Sequence, residues 1–179
     1  MNQLFEYGDI INRPIECFYF ISEHNNFPVR AHWHYYMEVL YMQEGVATVV
    51  ADNVTYRLFP GDLILFHPQS IHAIDSDAPI RFAGFKFDIN VMNQFQSSSL
   101  KLRNIFRNAK ANNMPIYFPA GSMQGFDAFL TFHKCIEEIH HLIVEQNGVG
   151  GGGELEHLVV LLLQLAAVGH HFLDDLKVH

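Results

Sequence analysis

The sequence predicts a mainly β fold: a small antiparallel barrel or sandwich over residues 1–95, followed by two or three α-helices over residues 96–179. Three observations predict it. Residues 17–88 break into short segments rich in aromatic and β-branched side chains, with turn residues between them. After Asn90 that pattern stops and helical sequence begins. Beyond residue 128 the apolar residues recur at alternating steps of three and four. Of the 179 residues 49% are hydrophobic, 16 of them Phe, and only 17% are charged. That much apolar side chain offsets the ordering entropy of one packed core.

Taken in order, the predicted strands are residues 17–22, 34–42, 46–51, 54–58, 62–66, 72–75 and 80–88. Ala51-Asp52-Asn53 and Phe59-Pro60-Gly61-Asp62 supply turn chemistry between them. Strands this close together pair antiparallel, which leads to a sandwich or a barrel. Residues 98–113 read as a helix, and residues 115–122 as a loop or a short strand. In the first long helix Phe129, Phe132, Ile136, Ile139 and Ile143 form a seam; in the second, Leu155, Leu158, Leu162, Leu165, Gly169 and Phe172 do so. Such seams pack either on the chain's own barrel or on a second copy. Val159, Val160, Leu161 and Leu163 make the second helix apolar nearly all round, which calls for partners on more than one side and makes a homodimer an expectation. The glycine run at 148–153 has neither the lysine nor the spacing of a phosphate-binding loop and reads as a linker.

Charge and composition exclude several function classes. Lys plus Arg number 11 against 19 Asp plus Glu, a net charge of −8, so this chain repels a phosphate backbone. Cys17 and Cys135 fit neither a disulfide framework nor a metal knuckle, and the first residues lack the basic and apolar regions of a secretory leader. The longest apolar run is shorter than the ~20 residues of a membrane crossing. A cytoplasmic protein without a membrane partner is expected. No Gly-x-Ser-x-Gly turn or assignable base supports nucleophilic catalysis.

The most informative stretch runs from Arg30 to Glu38. In one extended strand His32, His34, Tyr36 and Glu38 would share a face, and a barrel would turn that face inward. Buried polar groups of this kind must bond one another, hold a ligand or bind a metal. His72, opening a strand after a turn, is a fourth candidate. Arg30 and Lys86 are cations on barrel strands that can meet a carboxylate or phosphate, or reach water at a rim through their long stems. Trp33 is expected to face outward, under a helix. Phe18, Phe20, Tyr36, Met42, Phe66 and Phe85 are expected inside. His133, Glu137 and His141 share a helix face in zinc-binding geometry, though an amphipathic helix more often carries such residues as its solvated stripe.

The spacing His32-x-His34, three residues, Glu38, six residues, Gly45 resembles the first signature of the cupin superfamily, and Gly61 through His72 resembles the second. Asn26, His67, Gln69 and Ser76 stand where that pattern usually has Gly, Pro, Gly and Asn. The resemblance implies a cupin barrel of the double-stranded β-helix, or jelly-roll, kind, in which His32, His34, Glu38 and His72 bind one divalent ion, Zn, Fe, Mn or Ni. More narrowly, residues 32–41, 58–66 and 81–88, with the two later helices, resemble the sensor domain of AraC-type transcription regulators. That resemblance implies a small-molecule effector, sugar-like or small organic, held by His32, His34, Tyr36, Glu38, His72, Arg30 and Lys86. It also implies dimerisation through the C-terminal helices and DNA binding through a helix-turn-helix domain that is not in this chain. The expectation is therefore a non-enzymatic sensor. The alternatives are a free-standing metal-dependent cupin enzyme of the dioxygenase or sugar isomerase type, and a metal-free carbohydrate-binding or storage cupin.

Overall fold

The computed structural model of the chain describes residues 4–11, 13, 15–90 and 116–122. The chain divides into two units, Met1–Asp88 with Ile116–Ser122, and Ile89–Pro115 with Met123–His179. All nine described strands belong to the first unit. The expected helices, their seams, the glycine linker and the His133 cluster all lie outside the described residues.

Nine strands are present among the described residues: β1 (Ile15–Ile21), β2 (Val29–His32), β3 (Met37–Glu44), β4 (Ala47–Ala51), β5 (Val54–Leu58), β6 (Leu63–Phe66), β7 (His72–Asp75), β8 (Arg81–Phe87) and β9 (Tyr117–Phe118). They form two antiparallel sheets, ordered β1-β8-β3-β6-β9 and β2-β7-β4-β5. The pairings nest, β1 with β8, β2 with β7, β3 with β6 and β4 with β5. Nested pairing is one long hairpin rolled upon itself, which is the jelly roll. The innermost hairpin turns at Asp52 and Asn53, both in the left-handed region with φ 45° and 69°, as a two-residue turn between twisted strands requires.

The core lies between the sheets. Leu40, Met42, Ile64, Phe66 and Phe82 from one sheet meet Ala47, Val49, Ala51, Leu58 and Ile74 from the other. Phe85 does not belong to this interior, contrary to expectation. Strand alternation puts Phe82, Gly84 and Lys86 on the inner face of β8, and leaves Phe85, which stacks with Phe87 at 5.5 Å, on the outer one. Gly84 lies between Phe18 and Leu40 in register, and a Cβ there would stand 2.4 Å from Phe18 and 2.8 Å from Leu40. Gly45 takes φ 79° where β3 turns into β4, and a Cβ there would meet the Pro79 carbonyl at 2.5 Å.

The single strand expected across residues 30–38 is two strands in different sheets. β2 ends at His32, the chain crosses between sheets through residues 33–36, and β3 begins at Met37. Trp33 packs on Phe5, 4.7 Å away on an N-terminal segment; the helix expected over it lies outside the described residues. That segment is held by Glu6 N–H donating to the Trp33 carbonyl and Trp33 N–H to the Leu4 carbonyl.

Candidate functional site

Pairing of β2 with β7 sets His32 directly opposite His72, their ring centroids 4.3 Å apart. Glu38 enters from β3 in the other sheet. His34 comes from the crossing segment, whose position is fixed by Gln69 N–H donating to the His34 carbonyl at 2.8 Å. One potential ligand atom from each of the four residues lies within 4.8 Å of the others. His34, Glu38 and His72 are buried. The side chains thus converge from both sheets, although the one-strand geometry from which they were picked does not exist. The substituted second motif still aims its histidine: Gln69 adopts φ 67°, Ser70 Oγ donates to Asp52, and the Ser70 carbonyl accepts from His72.

Each imidazole is oriented by the same device. Nδ1 of His32 donates to the Arg30 carbonyl (2.9 Å), that of His34 to the Tyr36 carbonyl (3.1 Å), and that of His72 to the Ser70 carbonyl (3.0 Å). A carbonyl oxygen only accepts, so each Nδ1 carries a hydrogen, and in the neutral ring Nε2 is left with a lone pair. The Nε2 of His34 lies 2.7 Å from Glu38 Oε2, and that of His72 lies 3.2 Å from the same oxygen. A lone pair facing a carboxylate is repulsive, so the cluster requires positive charge at its centre, from further protons or from a divalent cation. His72 Nε2 is buried and makes no aligned hydrogen bond. Burial alone would raise the Glu38 pKa, but the His34 and His72 contacts, with the charge of Lys86, hold it well below the usual carboxylate range. Three imidazole nitrogens and a carboxylate fit Zn, Fe, Mn or Ni, with the Nδ1–carbonyl bonds acting as the outer hydrogen bonds that orient metal-binding histidines.

The cluster borders a cavity of about 1030 Å³ that His32, Glu38, His72 and Lys86 line together with Phe18 and Phe20. Phe66 stacks on the His72 ring at 4.1 Å and closes that side. Lys86 is not at a solvated rim: its side chain is 12% exposed, and its Nζ lies 2.8 Å from Glu6 Oε2. Burial would lower the Lys86 pKa, but the carboxylates of Glu38 and Glu6 raise it, so the ammonium stays charged. Arg30 is exposed and reaches the cavity mouth. Tyr36 stands apart from the large cavity. It is buried, its hydroxyl donates to the Arg13 carbonyl at 2.8 Å, and with His34 it lines a separate cavity of about 280 Å³. Burial and the carboxylates of Glu16, Asp9 and Asp88 push its pKa up to about 12, which makes it a poor proton donor.

Sequence reasoning missed Glu6. Its Oε2 bridges Lys86 and, at 3.3 Å, His32 Nε2. The hydrogen bond from His32 and the charge of Lys86 outweigh burial and lower its pKa to about 2. Nothing local in the sequence marks Glu6. Its place follows from the Phe5–Trp33 bridge, a long-range pairing without a motif.

Solved structures that resemble this one include an RmlC-like cupin from Shewanella frigidimarina (TM-score 0.39, 19% identity, 42% of this chain and 67% of that chain). Another is a cupin 2 conserved barrel domain protein from Salinispora arenicola (0.37, 18%, 50% and 76%). A third is a mutant of the salicylate 1,2-dioxygenase from Pseudoaminobacter salicylatoxidans (0.38, 16%, 45% and 23%). These distant likenesses say nothing of substrate or cofactor. No curated protein matches the chain. The sequence profile of the AraC-like ligand binding domain matches residues 15–163, a span that holds all eight strands of the jelly roll and its four clustered side chains. The chain belongs to the AraC-like ligand binding domain family.

Proposed function

We propose that this chain is the effector-binding and dimerisation domain of a cytoplasmic AraC-type transcription regulator, with the effector held in the large cavity and DNA bound through a separate helix-turn-helix domain. The observation that carries this reading is the cavity itself: about 1030 Å³, apolar along one wall and polar at the buried cluster, within a domain whose family is ligand-binding. An effector acts by preferring one of two states of the domain, since equal affinity for both shifts nothing. His32, His34, Glu38 and His72 hold one divalent ion in this proposal. A Lewis acid is the chemistry that such an ion would supply there when bound. The chain's own residues do the rest: the Nδ1–carbonyl bonds fix the rings, Glu38 supplies the compensating charge, and Phe66 excludes water from His72. The test is a thermal-shift screen of small molecules with chromatographic assay of each compound that binds. Saturable binding with full recovery of the compound is expected; steady consumption overturns the sensor reading.

A second reading, a metal-dependent cupin enzyme, draws on the pre-oriented imidazoles. Against it, two carboxylates near the cluster are already engaged, the buried Glu38 by two histidines and the half-exposed Glu6 by Lys86 and His32.

A further inference from the structure

The two ends of the large cavity differ in chemistry. Phe18, Phe20, Phe27, Val29, Ile74 and Phe82 form one side, with Phe20 and Phe82 stacked at 4.5 Å. The other end holds His32, Glu38, His72 and Lys86. Asn25, Asn26 and Arg30 also line the cavity, but a polyol hydroxyl set against the phenyl wall itself would lack a partner there, which costs free energy for each unsatisfied group. A ligand with one polar head and a flat apolar body has no such mismatch.

The chain itself shows which head group this end accepts. Glu6 Oε2 bridges Lys86 Nζ at 2.8 Å and His32 Nε2 at 3.3 Å, so one carboxylate oxygen already occupies the seat between the cation and the imidazole. Glu6 belongs to neither sheet. It rides on an N-terminal segment held by the Phe5–Trp33 bridge and by the Tyr36 hydroxyl at the Arg13 carbonyl, and its side chain is 46% exposed. Lys86 Nζ lies 5.8 Å from the centre of the Phe18 ring, so the carboxylate seat adjoins the phenyl wall.

We propose that the ligand of this cavity is a small aromatic or similarly flat apolar monocarboxylate, whose carboxylate replaces that of Glu6 at Lys86 while its body lies along Phe18, Phe20 and Phe27. This rests on reading the cavity as the effector site, and it replaces the sugar-like class with an anionic amphiphile. Glu6 is then a competitor of the ligand rather than a contact to it.

The test is calorimetric titration of the full chain with benzoate and 3-phenylpropanoate, their amides, and two neutral sugars, glucose and ribose. At least one carboxylate is expected to bind saturably, with its amide weaker by about tenfold or more, because the charge-assisted pairing to Lys86 is lost. Glu6→Gln is expected to tighten the carboxylate by about threefold or more, because an internal competitor is removed. Lys86→Met is expected to abolish binding, with circular dichroism to confirm that the barrel is intact. Glu6→Gln keeps the test decisive if Lys86→Met fails to fold. Equal affinity for acid and amide, weaker binding by Glu6→Gln, or no carboxylate binding at all overturns the proposal. Sugar binding without carboxylate binding overturns this ligand class and leaves the effector-site reading standing. Consumption of a bound carboxylate overturns the sensor reading and leaves the ligand class standing.

Discussion

Glu38 is the residue on which the cluster turns. It is the carboxylate that faces both His34, on the crossing segment, and His72, on the opposite sheet, and it is buried. Gly84 serves the same region without any chemistry of its own. Its missing side chain lets Phe18 and Leu40 close over β8, and Phe18 is part of the cavity wall. Gly84→Ala must displace one of them, and overpacking of this kind costs about 1–3 kcal/mol. Denaturant unfolding is expected to show that loss, together with weaker binding of any ligand that rests on Phe18; an unchanged midpoint would mean that the two rings yield freely. At this scale the four clustered residues were legible, because two histidines and a glutamate at close spacing are rare in an apolar strand sequence. Lys86 was legible only as a cation near a strand. Its burial depends on Glu6, which no local pattern reveals, and the departure of Tyr36 toward Arg13 depends on a segment just as distant in sequence.

Among the elements, β9 shows how a two-residue strand is held. Asp62 accepts from Phe59 N–H (2.8 Å), Ala120 N–H (2.8 Å) and Tyr117 Oη–H (2.7 Å), tying the turn before β6 to the segment that carries β9. Asp62→Ala strands three donors and is expected to cost about 2–4 kcal/mol of unfolding free energy. Burial, then the hydrogen bond to Asp62, pushes the Tyr117 pKa from 10.0 up to about 12. The folded state therefore keeps the phenol proton that the unfolded chain loses. This contribution is fully present below pH 10 and is lost as the pH rises toward 12. Thermal midpoints measured from pH 9 to 12 are expected to fall more steeply for wild type than for Tyr117→Phe; parallel curves would contradict the assignment. Tyr36, also raised to about 12, contributes a similar fall that both proteins share. The β4–β5 hairpin was legible from Asp52-Asn53, a local signal that demands left-handed turn residues. The break between β2 and β3 was not. Residues 33–36 contain neither Gly nor Pro, and the crossing is imposed by pairing to β7 and by the Gln69–His34 bond.

For the whole molecule, the antiparallel barrel was legible because short strands and tight turns leave few ways to close a sheet, whereas which strand joins which sheet is decided by contacts distant in sequence. The acidic balance, 19 Asp plus Glu against 11 Lys plus Arg, disfavours contact between this chain and a phosphate backbone. Dimerisation through the helical seams is checked by light scattering. Wild type is expected at twice the monomer mass, and Leu162→Glu at the monomer mass with its barrel folded; a variant that unfolds would place Leu162 in an internal pack instead. The divalent ion proposed at His32, His34, Glu38 and His72 is tested most directly by elemental analysis of untagged protein expressed with supplemented Zn, Fe, Mn and Ni. Close to one divalent ion per wild-type chain, and almost none in Glu38→Gln, is the predicted result. Well under one equivalent in the wild type would contradict the metal centre and leave His32, His34, Glu38 and His72 as a metal-free polar floor.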